Sequence, residues 1–300
     1  MLLVKNGKII TMTDTDYENG YIIVSDGKIV EVGEGDNYLK NELYVKHNNC
    51  TVIDAKGNYV LPGYIDAHCH IGMWEDSLGF EGADGNEATD PVTPHLRAID
   101  GVYPYDRYFT EARENGVTTV VTGPGSANVI GGQFAALKTY GKRVEDMIVK
   151  EPVAVKVAFG ENPKSVYGKD KKMPSTRMAT AAILRESLMK AREYKKLKDE
   201  SEKDESAKEK FKYDMKMEAL VKVLNREIPI KAHAHRADDI LTALRIAREF
   251  NINITIEHCT EGHLCFLQVR SPHFCKIFSP GTGGEFLCKP SDFPVSFLCV

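Results

Sequence analysis

The sequence lacks several features that would assign it to other protein classes. No apolar run approaches the ~18 residues that a membrane-spanning helix needs. No basic excess exists either, because 39 Lys and Arg stand against 43 Asp and Glu, for a net charge of −4. The N-terminal segment "MLLVKNGKII" lacks the apolar core of a signal peptide. We therefore expect a cytoplasmic protein whose main partners are neither nucleic acids nor membranes.

The cysteines are too few and too unevenly placed for a disulfide framework. There are seven, an odd number, so a complete intrachain set of disulfides is excluded and we interpret the thiols as reduced. Apolar residues make up 42% of the 300 positions, which is enough for a sizeable core.

Short β segments dominate the first 58 residues. Asn6-Gly7 and Asp26-Gly27 each separate two apolar stretches and supply the positive-φ positions that tight hairpin turns need. A third β segment, "CTVIDAKGNYVLPG", follows. These patterns predict a small all-β unit.

From Gly63 the sequence alternates between strand and helix patterns. The predicted strands are "YIDAHCH", "VTTVVTG", "EPVAVKVAFG", "IPIKAHAH" and "INITIEH". The predicted helices are "YDRYFTEAREN", capped by Gly116, a polar stretch from about 175 to 225, and "ADDILTALRIAREF". The last helix has an apolar face made of Ile240, Leu241, Leu244, Ile246 and Ala247. A strand–helix–strand order predicts a parallel sheet, either doubly wound or closed into a barrel.

The glycine-rich segment "GPGSANVIGGQ", residues 123 to 133, lacks the spacing and the Gly-Lys-Ser/Thr ending of a phosphate-binding loop. We interpret it as a loop that shapes a pocket.

Histidines stand where three of the predicted strands end. His68 and His70 end one strand, His233 and His235 a second, and His258 a third. The carboxyl ends of parallel strands share one rim, and residues two apart in a strand point to the same side. One His-x-His alone is a weak signal, but three such strand ends together predict a metal site.

These motifs resemble those of a known family. "LPGYIDAHCHIG" is similar to the first-strand signature of the amidohydrolase superfamily, and "KAHAHRADDI" and "ITIEHCTEGH" resemble its fifth and sixth barrel strands. "VKNGKIIT" and "SDGKIVEVGEG" resemble the family's N-terminal β region, and the imidazolonepropionase-like and dipeptidase-like members are the most similar. The resemblance implies an α/β fold, an incomplete (β/α)8 TIM-type barrel with a small N-terminal β-sandwich portion. The expected domains are 1–58, 59–264 with about six of the eight barrel strands, and an atypical tail, 265–300.

Residue by residue, the resemblance implies a divalent metal ligand set. His68 and His70 match the first-strand ligands, His233 the fifth-strand ligand and His258 the sixth-strand ligand, which also has a catalytic role. For His235, a catalytic contact with substrate or a second metal and a structural role both stay open. Either Lys156, as a carboxylated lysine, or Glu161 would bridge two ions; we favour Lys156 slightly, and a mononuclear site stays open. Zinc is the expected metal, with one or two ions bound.

We expect the carboxylate of Asp66, which precedes the histidine pair on the same side of its strand, to orient an imidazole.

The family resemblance implies hydrolysis of C–N bonds in small amides, cyclic amides or amino-heterocycles by a metal-activated water, and not of peptide bonds in proteins. A small-molecule substrate and homo-oligomers are the expected partners. In the family an aspartate from the eighth strand moves the proton, and Asp292 lacks the strand context for this role. The alternative is a catalytically inactive, truncated amidohydrolase-like metal-binding protein.

The last 36 residues depart from the family pattern. Cys265, Cys275, Cys288 and Cys299 crowd this segment without a Cys-x-x-Cys pair, so a structural metal site there is disfavoured. We prefer the interpretation of an aberrant C-terminus.

Overall fold

Two β-sheets organise the chain. The structure is a computed structural model that describes residues 1–46, 49–76 and 78–265. Within these, contacts divide the chain into two compact units: Met1–Tyr64 with Gly116–Thr118, and Ile65–Asn115 with the residues from Thr119 onward. The domain boundaries expected from the sequence, after 58 and 264, stay predictions. The predictions for 266–300, including the aberrant tail, lie outside the described residues.

The secondary-structure elements have the following bounds. The strands are β1 (Leu2–Ile9), β2 (Tyr17–Ser25), β3 (Lys28–Glu34), β4 (Thr51–Asp54), β5 (Tyr59–Val60), β6 (Tyr64–Cys69), β7 (Val117–Thr122), β8 (Ile130–Lys138), β9 (Ile148–Ala158), β10 (Ile230–Ala234) and β11 (Ile254–His258). The helices are α1 (Glu42–Lys46), α2 (Arg107–Glu114), α3 (Val144–Met147), α4 (Glu161–Gly168), α5 (Arg177–Ser201), α6 (Glu205–Lys208), α7 (Met215–Leu224) and α8 (Ala237–Phe250). Three 3-10 turns cover Asn37–Lys40, Ala98–Asp100 and Gly262–Cys265.

The first unit is a five-stranded sheet built around β1. Its order is β3-β2-β1-β4, and β5 also pairs with β1. The predicted turn at Asp26-Gly27 is confirmed, with φ of 52° and 72° between β2 and β3. The predicted turn at Asn6-Gly7 is wrong: both residues lie inside β1, where the register with β2 shifts. A positive φ of 56° at Asn6 fits a β-bulge as well as a turn, so the dipeptide alone could not decide.

Alternation along β1 and β2 gives this sheet two apolar faces. Leu3, Tyr21 and Ile23 pack with Tyr38 on one face. Val4, Ile9 and Ile22 form a second cluster. This is the period of two that a strand imposes on its side chains.

The second unit contains a six-stranded sheet in the order β11-β10-β9-β8-β7-β6. The parallel pairing expected from the sequence is confirmed for β9, β10 and β11. However, β8 runs antiparallel to both β7 and β9. The reason is the short connection from Thr122 to Ile130, since a parallel strand would need a crossover of a dozen or more residues. The loop predicted over 123–133 therefore ends at Val129.

Helices cover this sheet through one apolar cluster. Leu184 and Leu188 of α5 and Leu220 of α7 pack with strand residues such as Val155. The predicted apolar face of α8 is correct for Ile240, Leu244, Ile246 and Ala247, which are buried, but wrong for Leu241, which is 37% exposed. Ala243, which the prediction did not include, is buried as well. The predicted cap of α2 is confirmed, because Gly116 follows its last turn with φ of 85°.

The six-stranded sheet curls until its two edges approach each other. Lys231 on β10 donates a hydrogen bond to the Ala67 carbonyl on β6, at 3.1 Å. The rings of His68, on edge strand β6, and His258, on edge strand β11, lie 5.7 Å apart. The result is a nearly closed, barrel-like sheet. Among the described residues, no helix is long and apolar enough to cross a membrane.

Candidate metal centre

Strand β6 brings two imidazoles to the inside of the curled sheet. His68 lies in β6 and His70 follows its last residue, and their rings are 5.2 Å apart at 80°. His70 Nδ1 lies 2.7 Å from the Gly123 carbonyl oxygen, to which it can donate. That hydrogen bond leaves Nε2 of His70 with a free lone pair, as metal-ligating histidines require.

Strand β10 supplies two more imidazoles through its alternation. Lys231 and His233 share its inner face, and His235 continues that spacing just beyond the strand. Ser126 Oγ lies 3.0 Å from Nδ1 of His233, and Asn162 Nδ2 lies 3.3 Å from its Nε2. The Nδ1 atom of His235 lies 2.7 Å from Thr260 Oγ1.

His258 reaches the same place by breaking strand alternation. Glu257 is buried on the inner face of β11, so a regular strand would turn the next residue away from it. Instead His258 and Cys259 adopt left-handed backbone, with φ of 67° and 51°. The imidazole of His258 consequently lies 4.6 Å from that of His233. Such backbone is strained for residues other than glycine and concentrates at functional sites.

Together, three imidazoles form a group suited to a cation. One ligand atom from each of His233, His235 and His258 lies within 4.8 Å of the others. Burial decreases across the group: His233 is buried, His235 is partly buried and His258 is exposed. One side of the group is therefore open to solvent. His68 and His70 flank it, with the ring of His68 5.7 Å from that of His258.

The electrostatics keep most of these imidazoles uncharged. Burial, reinforced by Lys156 and Lys231, lowers the pKa of His68 to about 2. Burial, with His258 as the next contributor, lowers the pKa of His233 to about 3. Burial also lowers the pKa of His70 and of His258. Neutral imidazole is the form that binds a metal ion, so the donor set fits a divalent cation.

Of the two candidate bridging residues, the structure places one beside the imidazoles. Lys156 is fully buried in β9, and its Nζ lies 3.5 Å from Nε2 of His68. Burial, to which Lys231 adds and which Glu257 opposes, lowers the pKa of this amine to about 8. Glu161 is exposed in the first turn of α4, and no contact joins it to the imidazoles within the described residues.

Asp66, which was expected to orient an imidazole, bonds to the backbone of the histidine pair, and its charge acts on His70. Its carboxylate accepts a hydrogen bond from the backbone N–H of His68, at 3.0 Å. The carboxylate beside the ring of His68 belongs to Glu257, whose Oε2 lies 3.1 Å from Nδ1.

Three further residues surround the imidazoles and were missed in the sequence. Glu257 and Lys231 form a buried ion pair, with Glu257 Oε1 at 2.8 Å from Lys231 Nζ. Phe134 on β8 is fully buried and stacks on His68, with ring centres 5.4 Å apart. A signal for Lys231 was present, since it precedes His233 by two residues. Phe134 carried none, because β8 was not predicted.

The single tryptophan borders the same site. The ring of Trp74 lies 5.4 Å from that of His70, edge to face. A Cβ on residue 85 would overlap the Trp74 ring, so only glycine at this position allows the ring to pack there.

Comparison with known proteins gives several relatives. No protein-family model matches the chain. Over 232 residues the chain is 30% identical to amidohydrolase tasK of Hapsidospora irregularis, covering 71% of this chain and 24% of that protein. Over 74 residues it is 39% identical to a 5'-deoxyadenosine deaminase of Methanosarcina acetivorans, covering 24% of this chain and 15% of that protein.

The chain matches a larger share of one solved structure than of these two relatives. An amidohydrolase from Thermotoga maritima superposes with a TM-score of 0.79 and 43% identity, covering 88% of this chain and 66% of that one. The chain thus spans 66% of this structure and about a quarter or less of the two curated relatives. The shared fold and the sequence identity agree with the strand-end histidines: the chain belongs to the amidohydrolase superfamily.

Proposed function

We propose that the protein is a metal-dependent hydrolase that cleaves C–N bonds in small amides, cyclic amides or amino-heterocycles, and not peptide bonds of proteins. The observation that carries this proposal is the group of three imidazoles within 4.8 Å of one another, open to solvent on one side. Proteins of this superfamily generally use a divalent metal, and imidazole ligands suit zinc. We therefore propose zinc, as one or two ions.

His68, His70, His233 and His258 would hold the ion. His235 belongs to the tightest group and would either complete this set or contact substrate. A carboxylated Lys156 would bridge a second ion; the ammonium first loses one proton, and the neutral amine then adds to carbon dioxide and releases a second proton, which leaves a carbamate anion as the ligand. The burial of Lys156 and its 3.5 Å distance from His68 favour it over Glu161, which stays the alternative ligand.

The ion would supply Lewis acidity, which makes water a competent nucleophile near neutral pH. The chain's own residues would orient the substrate. His235 keeps Nδ1 on Thr260, at 2.7 Å, so its Nε2 is free to exchange a proton with a bound molecule. His258 stacks on His235 with ring centres 4.9 Å apart, and we propose that both act in catalysis.

The named activities of relatives support the substrate class. One relative is a deaminase of 5'-deoxyadenosine, an amino-substituted heterocycle, and another is named an amidohydrolase. We propose in addition that the curled sheet belongs to a (β/α)8 barrel and that the N-terminal sheet belongs to a β-sandwich. A cytoplasmic location and homo-oligomers complete the proposal.

An activity screen of the metal-loaded full chain tests the function. The zinc-loaded protein should release ammonia or an amine from at least one amide, lactam or amino-heterocycle in the screen, and a chelator should abolish turnover. His233→Ala and His258→Ala should each lower the rate by two or more orders of magnitude, because each removes a ligand.

The matched control is His263→Ala, which removes an exposed histidine outside the imidazole group and should keep the wild-type rate. Tight metal binding without turnover of any such compound would contradict the enzymatic proposal. That result would instead support a non-catalytic metal-binding protein.

A further inference from the structure

A buried ion pair, formed by Lys231 and Glu257, lies next to His68. The side chains of Lys231 and Glu257 are each 4% exposed, and their charged atoms are 2.8 Å apart. Oε1 of Glu257 also accepts a hydrogen bond from Thr255 Oγ1 at 2.6 Å, and Lys231 donates a second one to the Ala67 carbonyl. A buried pair is costly to maintain unless further hydrogen bonds support it, and these two bonds do so.

The second carboxylate oxygen of Glu257 faces His68. Oε2 lies 3.1 Å from Nδ1 of His68, which is within hydrogen-bonding distance. The two atoms are not aligned for a hydrogen bond, and Nδ1 is buried with no aligned partner among the described residues. A buried polar group without a partner is destabilising, and the Glu257 carboxylate is an acceptor within reach of this Nδ1. Polar contacts of this kind often tighten only when a site is occupied.

Two other contacts hold the ring of His68. The ring stacks on Phe134 at an angle of 24°, with ring centres 5.4 Å apart, which limits tilting of its plane. Nε2 points into the site, 3.5 Å from Lys156 Nζ. In His70 and His235 too, Nδ1 has a hydrogen-bonding partner, the Gly123 carbonyl and Thr260 Oγ1 respectively, which leaves Nε2 for the site.

We propose that Glu257, held in place by Lys231, is the positioning residue of His68. Its carboxylate accepts a hydrogen bond from Nδ1–H, fixes that tautomer and turns the Nε2 lone pair toward the ion. Because Lys231 also bonds to the backbone of β6, the pair fixes the strand that carries His68 as well as the ring. The part of this inference that concerns the ion rests on the proposed function; the tautomer of His68 does not.

The tautomer can be measured without metal. A long-range ¹H–¹⁵N correlation spectrum of the metal-free full chain, assigned with His68→Gln, should show His68 protonated at Nδ1. In Lys231→Met/Glu257→Leu, which replaces the pair by apolar side chains, that tautomer should lose its preference. Glu257→Gln keeps an acceptor oxygen and should largely restore it. An Nε2-protonated His68 in the wild type would overturn the proposal, even if the double variant failed to fold.

Zinc affinity gives the second readout. Loss of a ligand's orienting partner typically lowers metal affinity by about 10- to 100-fold, and the double variant should lose that much. The control is Arg177→Met/Asp239→Leu, which removes another pair with a buried carboxylate, 3.0 Å apart and away from the imidazoles. It should leave both the tautomer and the affinity unchanged.

The outcomes separate the two proposals. An unchanged tautomer and affinity in Lys231→Met/Glu257→Leu would refute the positioning role. A wild-type protein with the expected tautomer but no affinity for zinc would refute the proposed function and leave the positioning of His68 standing.

Discussion

At residue scale, the strand-end histidines could be found in the sequence, but the backbone that directs them could not. The motif alone identified His68, His70, His233 and His258 as candidates. Regular alternation would have turned His258 away from the others. Its φ of 67° turns the imidazole back toward the other histidines. The segment "IEHCTEGH" does not predict this left-handed backbone, because neither His258 nor Cys259 is glycine.

The side chains that contact the imidazoles could not be predicted from the sequence either. Asp66 was the expected orienting carboxylate because it is close in sequence to His68. The structure instead places Glu257 beside the ring, at 3.1 Å, from the far edge of the sheet. Contacts between distant segments follow from the fold, so local spacing cannot reveal them.

The amine of Lys156 gives a prediction at this scale. Its burial, which lowers the pKa to about 8, leaves a minor neutral fraction near neutral pH, and this neutral amine can react with carbon dioxide. We expect the zinc-loaded protein, prepared with ¹³C-bicarbonate, to show one carbamate carbon signal by NMR. Lys156→Gln should lack the signal and bind one ion fewer.

Glu161→Gln is the matched variant for the competing ligand and should keep both the signal and the wild-type zinc content. Loss of an ion in Glu161→Gln, together with an unlabelled Lys156, would assign the bridging role to Glu161 instead.

At the scale of elements, an ion pair joins α5 and α7, two of the four helices between β9 and β10. Lys198 of α5 donates to both carboxylate oxygens of Glu218 on α7, at 2.8 Å, and Tyr194 donates to one of them at 2.6 Å. Burial acts to raise the pKa of Glu218, but the bonds from Lys198 and Tyr194 outweigh it and hold the pKa below 4.5. The ionised carboxylate is therefore favoured in the folded protein.

This depressed pKa predicts a pH-dependent stability. Glu218→Gln should lower the free energy of unfolding at pH 7 by about 0.5–1 kcal/mol, measured by urea denaturation. A carboxyl with a lowered folded-state pKa contributes stability above its unfolded pKa and loses it as pH falls through the folded value. The difference between wild type and Glu218→Gln should thus shrink below about pH 4.5.

An exposed pair on the same helix is the control. Glu186 and Lys190 of α5 are 2.6 Å apart, with each side chain 63% exposed. Glu186→Gln should change the free energy of unfolding by only a few tenths of a kcal/mol. Equal effects of the two substitutions at pH 7 would contradict the stabilising role of the helix-joining pair.

Elements with a clear period were predictable, and those set by pairing were not. The pattern of α8 gave four of its inward residues correctly, and Leu241 failed because it lies at the border of the apolar face. Asn6-Gly7 was mistaken for a turn because a bulge uses the same backbone. Strand β8 was hidden by the glycines at its start, Gly131 and Gly132, which weaken a strand pattern.

At the scale of the whole molecule, the curl of the six-stranded sheet creates the candidate site. The hydrogen bond from Lys231 to Ala67 joins residues 164 positions apart, and the edge strands β6 and β11 both present an imidazole to the interior. The sequence predicted strands with histidines at one rim, through the parallel-strand rule and the family resemblance. It did not reveal the antiparallel β8, which brings Phe134 against the ring of His68.

The most direct test of the central claim is the zinc K-edge X-ray absorption spectrum of the zinc-loaded full chain. We predict a first shell of nitrogen and oxygen at about 2.0–2.1 Å with the multiple-scattering signature of at least three imidazoles. The His233→Ala/His258→Ala double variant should lose two of them or fail to hold zinc. A shell of sulfur at about 2.3 Å, or a spectrum unchanged in the double variant, would contradict the assignment of the metal centre to these histidines.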